Sequence, residues 1–294
     1  GGFFFNTKES ERLVHAVRAE EYPAVTYKHV GSLRMDDGVG LHIKSVLSVI
    51  PNVKEIRKRK YRVLVDAVSG AGREALPRLL EELGCKVVRL YCDPPKGGDF
   101  PRPPEPTPSA LKQFSARIRK AKVAVGFALD PDADRLVIGS PRRGAVNEEY
   151  TLPLAFLGLR TRIRGPAAVV VNLSTSTLND AVATPAGARI LRAPVGEANV
   201  VESMRHAKAV FGGEGNGGVI HPGIASYGRD SLAGAALILS AMAARNARTV
   251  DELLDPMPIL FMEKAKIDLA GLSVPTVKQR LKSRFTGARA DERD

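Results

Sequence analysis

The stretch that most constrains this chain is residues 123–138, V-A-V-G-F-A-L-D-P-D-A-D-R-L-V-I. An apolar run breaks off at Asp130. Asp132 and Asp134 follow in alternate positions, Arg135 stands directly after them, and a second apolar run occupies 136–138. Apolar runs this short, bounded by a breaker, suit buried strands better than helices. The pattern therefore places three carboxylates on a tight loop at a strand end, with Pro131 fixing the turn. At about 4–5 Å and an effective dielectric near 20, each carboxylate pair costs roughly 3–4 kcal/mol. A positive charge should sit among them, and hard oxygen ligands select Mg²⁺, Ca²⁺ or Mn²⁺. An EF-hand is excluded: counted from Asp130, the sixth position is Arg135 where Gly is needed, and the twelfth is Pro141 where Glu is needed. The alternative to a metal loop is a polar turn in which Arg135 pairs with one Asp and the others face water.

A length of 294 residues suggests about two to three domains. An apolar content of 44% supports sizeable cores and excludes a disordered chain. The longest apolar stretch, around 232–244, is shorter than the roughly 18–20 residues of a membrane span and reads as a buried helix. The opening lacks the charged-then-apolar pattern of a signal peptide. With Cys85 and Cys92 as the two cysteines, the expected compartment is the reducing cytoplasm and both thiols are structural. The net charge of +12 invites a nucleic-acid reading, but the basic residues are scattered and no aromatics interleave with the densest run, R-K-R-K-Y-R at 57–62. A solvated basic surface is the expectation, with neither nucleic acid nor membrane as partner.

Residues 1–52 read as the tail of a preceding unit, with a strand-like run at 3–5 and a helix over 35–50 capped by Asp36 or Asp37 and ended by Pro51. Residues 53–145 alternate strand and helix: strand 61–66, a tight S-G-A-G loop at 69–72, helix 73–83 stopped by Gly84, strand 87–91, a proline-rich passage 94–108, a helix through Leu111, Phe114 and Ile118, and strand 121–128. Residues 146–257 repeat the theme: helix 148–163, strand 167–172, a hydroxyl-rich S-T-S-T loop at 174–177, a helix to Ala183, strand 189–191, a helix opened by P-V-G-E at 194–197, strand 209–211, and an apolar helix capped by Asp230 and running to Ala244. Residues 258–294 begin a further unit, with a strand over 260–267 and a helix over 275–285. The expected class is α/β: successive α/β/α domains with mixed, mostly parallel sheets, plus the start of a further α+β domain. In such sheets ligands gather beyond the carboxyl ends of the strands, where the three Asp residues lie.

A second loop, 212–218, carries five glycines in seven residues, with Glu214 and Asn216 as its only side chains. Glycines let a backbone approach a ligand closely or adopt positive φ. A lone carboxylate can then accept two neighbouring hydroxyls of a sugar diol. No G-x-x-x-x-G-K-[ST] phosphate cradle is present, and a Glu would repel phosphate. The alternative is a glycine-rich hairpin turn with a solvated Glu.

These two loops, about 80 residues apart on successive α/β units, resemble those of the α-D-phosphohexomutases, the family of phosphoglucomutase, phosphomannomutase and phosphoglucosamine mutase. D-P-D-A-D-R-L (130–136) resembles that family's metal loop and G-E-G-N-G-G (213–218) its sugar loop. P-E-P-T-P (104–108), V-D-A-V-S-G-A-G (65–72) and P-V-G-E-A-N-V (194–200) fit as well, most closely the archaeal-type members. The resemblance implies a four-domain enzyme with a phosphoserine on the first domain and Mg²⁺ on Asp130, Asp132 and Asp134. It further implies Arg135 as a catalytic charge partner and Glu214, with Gly215, Asn216, Gly217 and Glu197, as the sugar contacts. A fourth-domain loop would bind the substrate phosphate. Hexose 1- and 6-phosphates would interconvert through a bisphosphate that turns over in the cleft. A non-catalytic sugar-phosphate-binding protein is the alternative, a homodimer is left open, and a HAD-type phosphatase is disfavoured because Asp134-Arg135 does not match D-x-D-x-T. The expected T-x-S-H-N-P loop would precede Gly1 and the phosphate loop would follow Asp294, so the chain as given should be inactive alone. Many relatives carry Ser and His where this chain has Asn216 and Gly218, and some place a sugar-contacting His where it has Glu197.

Overall fold

The computed structural model describes residues 4–5, 7–21, 24–163, 165–224, 227–262, 268–269 and 271–287. Its helices are α1 (Thr7–Arg18), α2 (Gly38–Val49), α3 (Val53–Arg59), α4 (Gly72–Glu82), α5 (Lys112–Lys120), α6 (Thr151–Leu159), α7 (Leu178–Ala183), α8 (Glu197–Ala207), α9 (Ser231–Ala244), α10 (Asp251–Leu254) and α11 (Val274–Arg284). Its strands are β1 (Arg62–Asp66), β2 (Lys86–Leu90), β3 (Val125–Leu129), β4 (Leu136–Ser140), β5 (Gly144–Ala145), β6 (Ala167–Asn172), β7 (Ala188–Ala193), β8 (Phe211–Glu214) and β9 (Gly218–Ile220).

The strands form two mixed sheets, ordered β2-β1-β3-β4-β5 and β7-β6-β8-β9. In each, three parallel strands are extended by antiparallel pairing: β3 with β4 and β4 with β5 in the first, β8 with β9 in the second. The β3–β4 reversal falls at the Asp loop and the β8–β9 reversal at the glycine loop. Continuous apolar runs such as Val63-Leu64-Val65 and Val169-Val170-Val171 are buried throughout, as expected of strands covered on both faces.

One core runs under both sheets, and α9 is its centre. This helix is apolar on every side and buried from Ser231 to Met242, the pattern of a helix with no solvent face. It packs against α2, α3, α4, α6, β4 and β9. Its closest crossing is with α6, where a Cβ on Gly158 would lie 1.9 Å from the Leu237 carbonyl oxygen. The following segment returns to the first sheet: Val250 N–H donates to the Ala124 carbonyl at 3.0 Å, the Tyr61 hydroxyl donates to the Ala247 carbonyl at 2.9 Å, and Ser140 Oγ donates to buried Asp251.

Several elements differ from the sequence reading. The helix expected over 148–163 is the nine-residue α6 flanked by two 3₁₀ turns. The loop expected over 212–218 is a hairpin, with Gly212, Gly213 and Glu214 paired in β8 and Gly218 in β9. The strand expected over 121–128 is shifted to β3, and that over 189–191 lengthens to β7. Helices α1, α3 and α10 were not anticipated; α3 and α10, of 7 and 4 residues, are too short to show an apolar period. Asp37 caps α2 as expected, accepting from Gly40 N–H at 2.8 Å. That helix buries Ile43, Val46 and Val49 in the common core, although the sequence grouped it with the preceding tail. Phe3 of the run 3–5, and 263–267 of the strand expected over 260–267, lie outside the described residues; Phe4, Phe5 and 260–262 form no strand.

Candidate functional site

Strand β3 delivers Asp130 from a wholly buried run, and β4 leaves antiparallel after Arg135. The turn closes through Ala133 N–H to the Asp130 carbonyl at 3.2 Å, with Ala133 in the left-handed region at φ 62°. The Asp130 side chain organises the loop: its Oδ1 accepts the N–H groups of Asp134 and Arg135, each at 3.1 Å. One oxygen from each of Asp130, Asp132 and Asp134 lies within 4.8 Å of the others. Asp130 is buried, Asp134 partly buried and Asp132 exposed. Burial, and the neighbouring Asp134 and Asp132 carboxylates, push the Asp130 carboxyl up to about 7. Asp134 Oδ1 is buried without a hydrogen-bond partner. A convergent set of hard oxygens with one buried oxygen unsatisfied fits a divalent cation such as Mg²⁺. Arg135 gives partial relief, its Nε lying 3.5 Å from Asp130 Oδ2 and 3.8 Å from Asp134 Oδ1, with Nη1 3.7 Å from Glu105.

The loop is held from beneath by Arg102 and Ser231, which the sequence did not single out, and by Asp66 and the S-G-A-G loop, which lie in the 65–72 motif. Arg102, from the proline-rich passage, is buried with its guanidinium on Asp66 at the end of β1, Nε to Oδ2 at 3.0 Å and Nη2 to Oδ1 at 3.0 Å. The same Nη2 donates to the Leu129 carbonyl at 2.6 Å, immediately before Asp130. The S-G-A-G loop lies against Pro131: Ala71 N–H donates to the Pro131 carbonyl at 2.7 Å, and a Cβ on Gly70 would meet that oxygen at 2.3 Å. Ser231 Oγ, at the start of α9, donates to the Ala133 carbonyl at 2.6 Å.

The glycine hairpin reaches the same place. Leu136 N–H, at the end of the Asp loop, donates to the Gly217 carbonyl at 3.2 Å. Gly217 has φ 88°, and a Cβ there would lie 2.4 Å from the Leu136 carbonyl oxygen, so this position needs glycine both for its backbone and for the close approach. Glu214 is 5% exposed, not solvated. Its Oε1 accepts from Asn172 Nδ2 at 2.7 Å and Gly196 N–H at 3.2 Å, and its Oε2 lies 3.1 Å from Arg229 Nη1. The hydroxyl-rich loop supports this arrangement: Thr175 Oγ1 donates to Asn172 Oδ1 at 2.6 Å and accepts from Gly215 N–H at 2.9 Å. Asn216 turns back on its own hairpin, accepting from Gly218 N–H at 3.2 Å. Glu197 binds Arg229 twice, through the backbone N–H at 2.6 Å and through Nε at 2.8 Å.

Arg229 completes the constellation, with Nη2 also paired to Asp134 Oδ2. Burial works against its charge, but the carboxylates of Asp134, Glu197 and Glu214 outweigh that and raise its pKa. Nothing local marked Arg229 except its place before the capping Asp230. Beside the Asp loop a cleft of about 310 Å³ is lined by His42, Asp132, Arg229 and Asp230. A larger cavity of about 810 Å³ lies between α1 and α8 and contains none of these carboxylates. No helix among the described residues is long and apolar enough to cross a membrane.

Comparison with known proteins places these features in a family. Residues 41–143 match the family model for the phosphoglucomutase/phosphomannomutase α/β/α domain II, and residues 149–260 match that for domain III. A phosphoglucomutase/phosphomannomutase of Thermococcus kodakarensis is 33% identical over 266 residues, covering 90% of this chain and 57% of the relative. A phosphoglucosamine/phosphogalactosamine mutase of Sulfurisphaera tokodaii is 28% identical over 281 residues, covering 94% of this chain and 57% of its own length. The chain thus spans a little over half the length of these curated relatives. The fold matches that of a phosphoglucomutase/phosphomannomutase family protein from Burkholderia thailandensis with a TM-score of 0.73 at 22% identity, over 87% of this chain and 54% of the other. Two α/β/α units of matching type, one carrying the Asp loop and the next the glycine hairpin, make this chain a member of the phosphoglucomutase/phosphomannomutase family.

Proposed function

We propose that this chain is the cation- and sugar-binding part of a phosphohexomutase that interconverts hexose 1-phosphates and 6-phosphates. The observation that carries the reading is the direct junction of the two loops, through Leu136–Gly217 and through Arg229. The names of the relatives support a sugar phosphate as substrate. Phosphoryl transfer asks a protein chiefly for positioning and charge neutralisation. Bound to Asp130, Asp132 and Asp134, Mg²⁺ would supply charge neutralisation for the phosphoryl group. Arg135, resting on the same carboxylates, would face that group as a fixed positive charge. Glu214 would accept two adjacent sugar hydroxyls, and because such hydroxyls lie between the two ends of a hexose, the same grip would serve both orientations of a bisphosphate. Its present partners, Arg229 and Asn172, preset the carboxylate's orientation. Gly215 and Gly217 would admit the ring close to the backbone, with Asn216 and Glu197 at its edge. The phosphoserine that carries the group would come from a part of the protein outside this chain, in the cytoplasm where sugar phosphates are found.

The test is a coupled mutase assay on the full protein with Mg²⁺ and glucose, mannose or glucosamine 1-phosphate. Turnover of at least one is expected. Asp132→Asn should abolish it, and Glu214→Ala should raise KM and lower kcat, because a buried hydroxyl acceptor is lost. Binding of the sugar phosphates without any turnover would replace the reading by that of a sugar-phosphate-binding protein.

A further inference from the structure

We propose that Arg229 is a positioning residue that couples the two halves of the site. It holds Asp134 and Glu214 on one guanidinium and gives up Asp134 when a divalent cation binds. The inference rests on reading Asp130, Asp132 and Asp134 as a cation site. Arg229 is 14% exposed and touches three carboxylates, with Nη2 on Asp134, Nε on Glu197 at 2.8 Å and Nη1 on Glu214 at 3.1 Å. Each guanidinium nitrogen has its own acceptor, so the side chain has one defined place rather than a mobile surface position. Asp134 is the residue shared between this set and the three-carboxylate cluster.

Two neighbouring residues, Glu197 and Gly218, both serve Arg229. Glu197 fixes its backbone through the N–H at 2.6 Å as well as its Nε. Gly218 leaves room for its stem, since a Cβ there would lie 2.3 Å from Arg229 Cδ. Glu197 and Gly218 therefore act together in fixing the place of Arg229. A guanidinium on Asp134 neutralises that carboxylate and repels a dication arriving at the same cluster. Cation and Arg229 compete for Asp134, and the displaced charge stays on Glu197 and Glu214. By linkage, whatever changes the grip of Arg229 on Glu214 changes the cation affinity in return.

The test is calorimetric titration of the 294-residue chain with Mg²⁺ alone, in wild type, R229Q and R229K. R229Q, lacking the competing charge, should bind Mg²⁺ about tenfold more tightly, within the usual range of coupling between sites. R229K keeps a charge and should stay near wild type. A merely structural role predicts the opposite sign, because a loosened loop binds more weakly. In ¹⁵N-labelled wild type, which needs no variant to fold, the Arg229 Nε–Hε signal should move as Mg²⁺ is added. Wild-type binding with no gain in R229Q, or an Arg229 signal that Mg²⁺ leaves unmoved, overturns the coupling alone. No Mg²⁺ binding by wild type and R229Q alike overturns the cation site and the coupling together.

Discussion

Replacing Arg102 by Leu tests whether the buried pair beneath the Asp loop sets its geometry. The side chains of Arg102 and Asp66 are 5% and 0% exposed. Removing the guanidinium leaves Asp66 with the Val68 N–H as a neighbour and frees the Leu129 carbonyl. An uncompensated buried charge costs about 3–5 kcal/mol. At roughly 2–4 °C per kcal/mol for a chain of this size, Tm should fall by about 6–20 °C. Burial already raises the Asp66 pKa, against the pull of Arg102, so without Arg102 it should rise further. A carboxyl whose folded pKa lies above its unfolded value favours folding only when protonated. The deficit of R102L should therefore be full at neutral pH and shrink as pH falls toward the ordinary value of 3.8. Thermal unfolding by circular dichroism at several pH values measures both effects, and D66N/R102L should recover part of the loss. A neutral-pH loss below ~1 kcal/mol, the range of exposed pairs, or a double variant no better than R102L, would refute the reasoning.

The remaining predictions concern the core and a histidine. Gly158→Ala should destabilise by about 2 kcal/mol or more in urea unfolding, because its Cβ would meet the Leu237 carbonyl at 1.9 Å and both helices would have to part. His42 Nε2 lies 2.9 Å from Asp230, and this bond raises the His42 pKa despite partial burial. A histidine with a raised folded pKa contributes stability that is full below 6.5 and is lost as pH rises through the folded value. His42→Gln should thus cost most at about pH 6 and progressively less toward pH 8, which a Tm series in matched buffers would reveal; a pH-independent difference would contradict it.

Local chemistry made much of the scaffold legible in sequence. Asp37 and Asp230 announced the starts of α2 and α9, where each caps its helix. The short apolar runs announced β1, β3 and β6, and the length and uniform apolarity of α9 announced a buried helix. Asp130, Asp132 and Asp134 were readable as a cluster because neighbours on a tight turn cannot separate. What failed lacked a local signal. The glycine run allowed a hairpin turn but did not reveal that its own residues pair as β8 and β9, since glycine is depleted in strands.

The sequence by itself determined which residue types stand at the strand ends, because burial periodicity and turn chemistry act over a few residues. Tertiary structure alone decided which of them meet. Arg102 reaches Asp66 across 36 positions, and Arg229 joins Asp134, Glu197 and Glu214 from three separate segments. Such pairings arise only when β1, β3, β6 and β8 bring their carboxyl ends together, and a buried charge then takes the partner that the fold presents, however far away it lies in the chain.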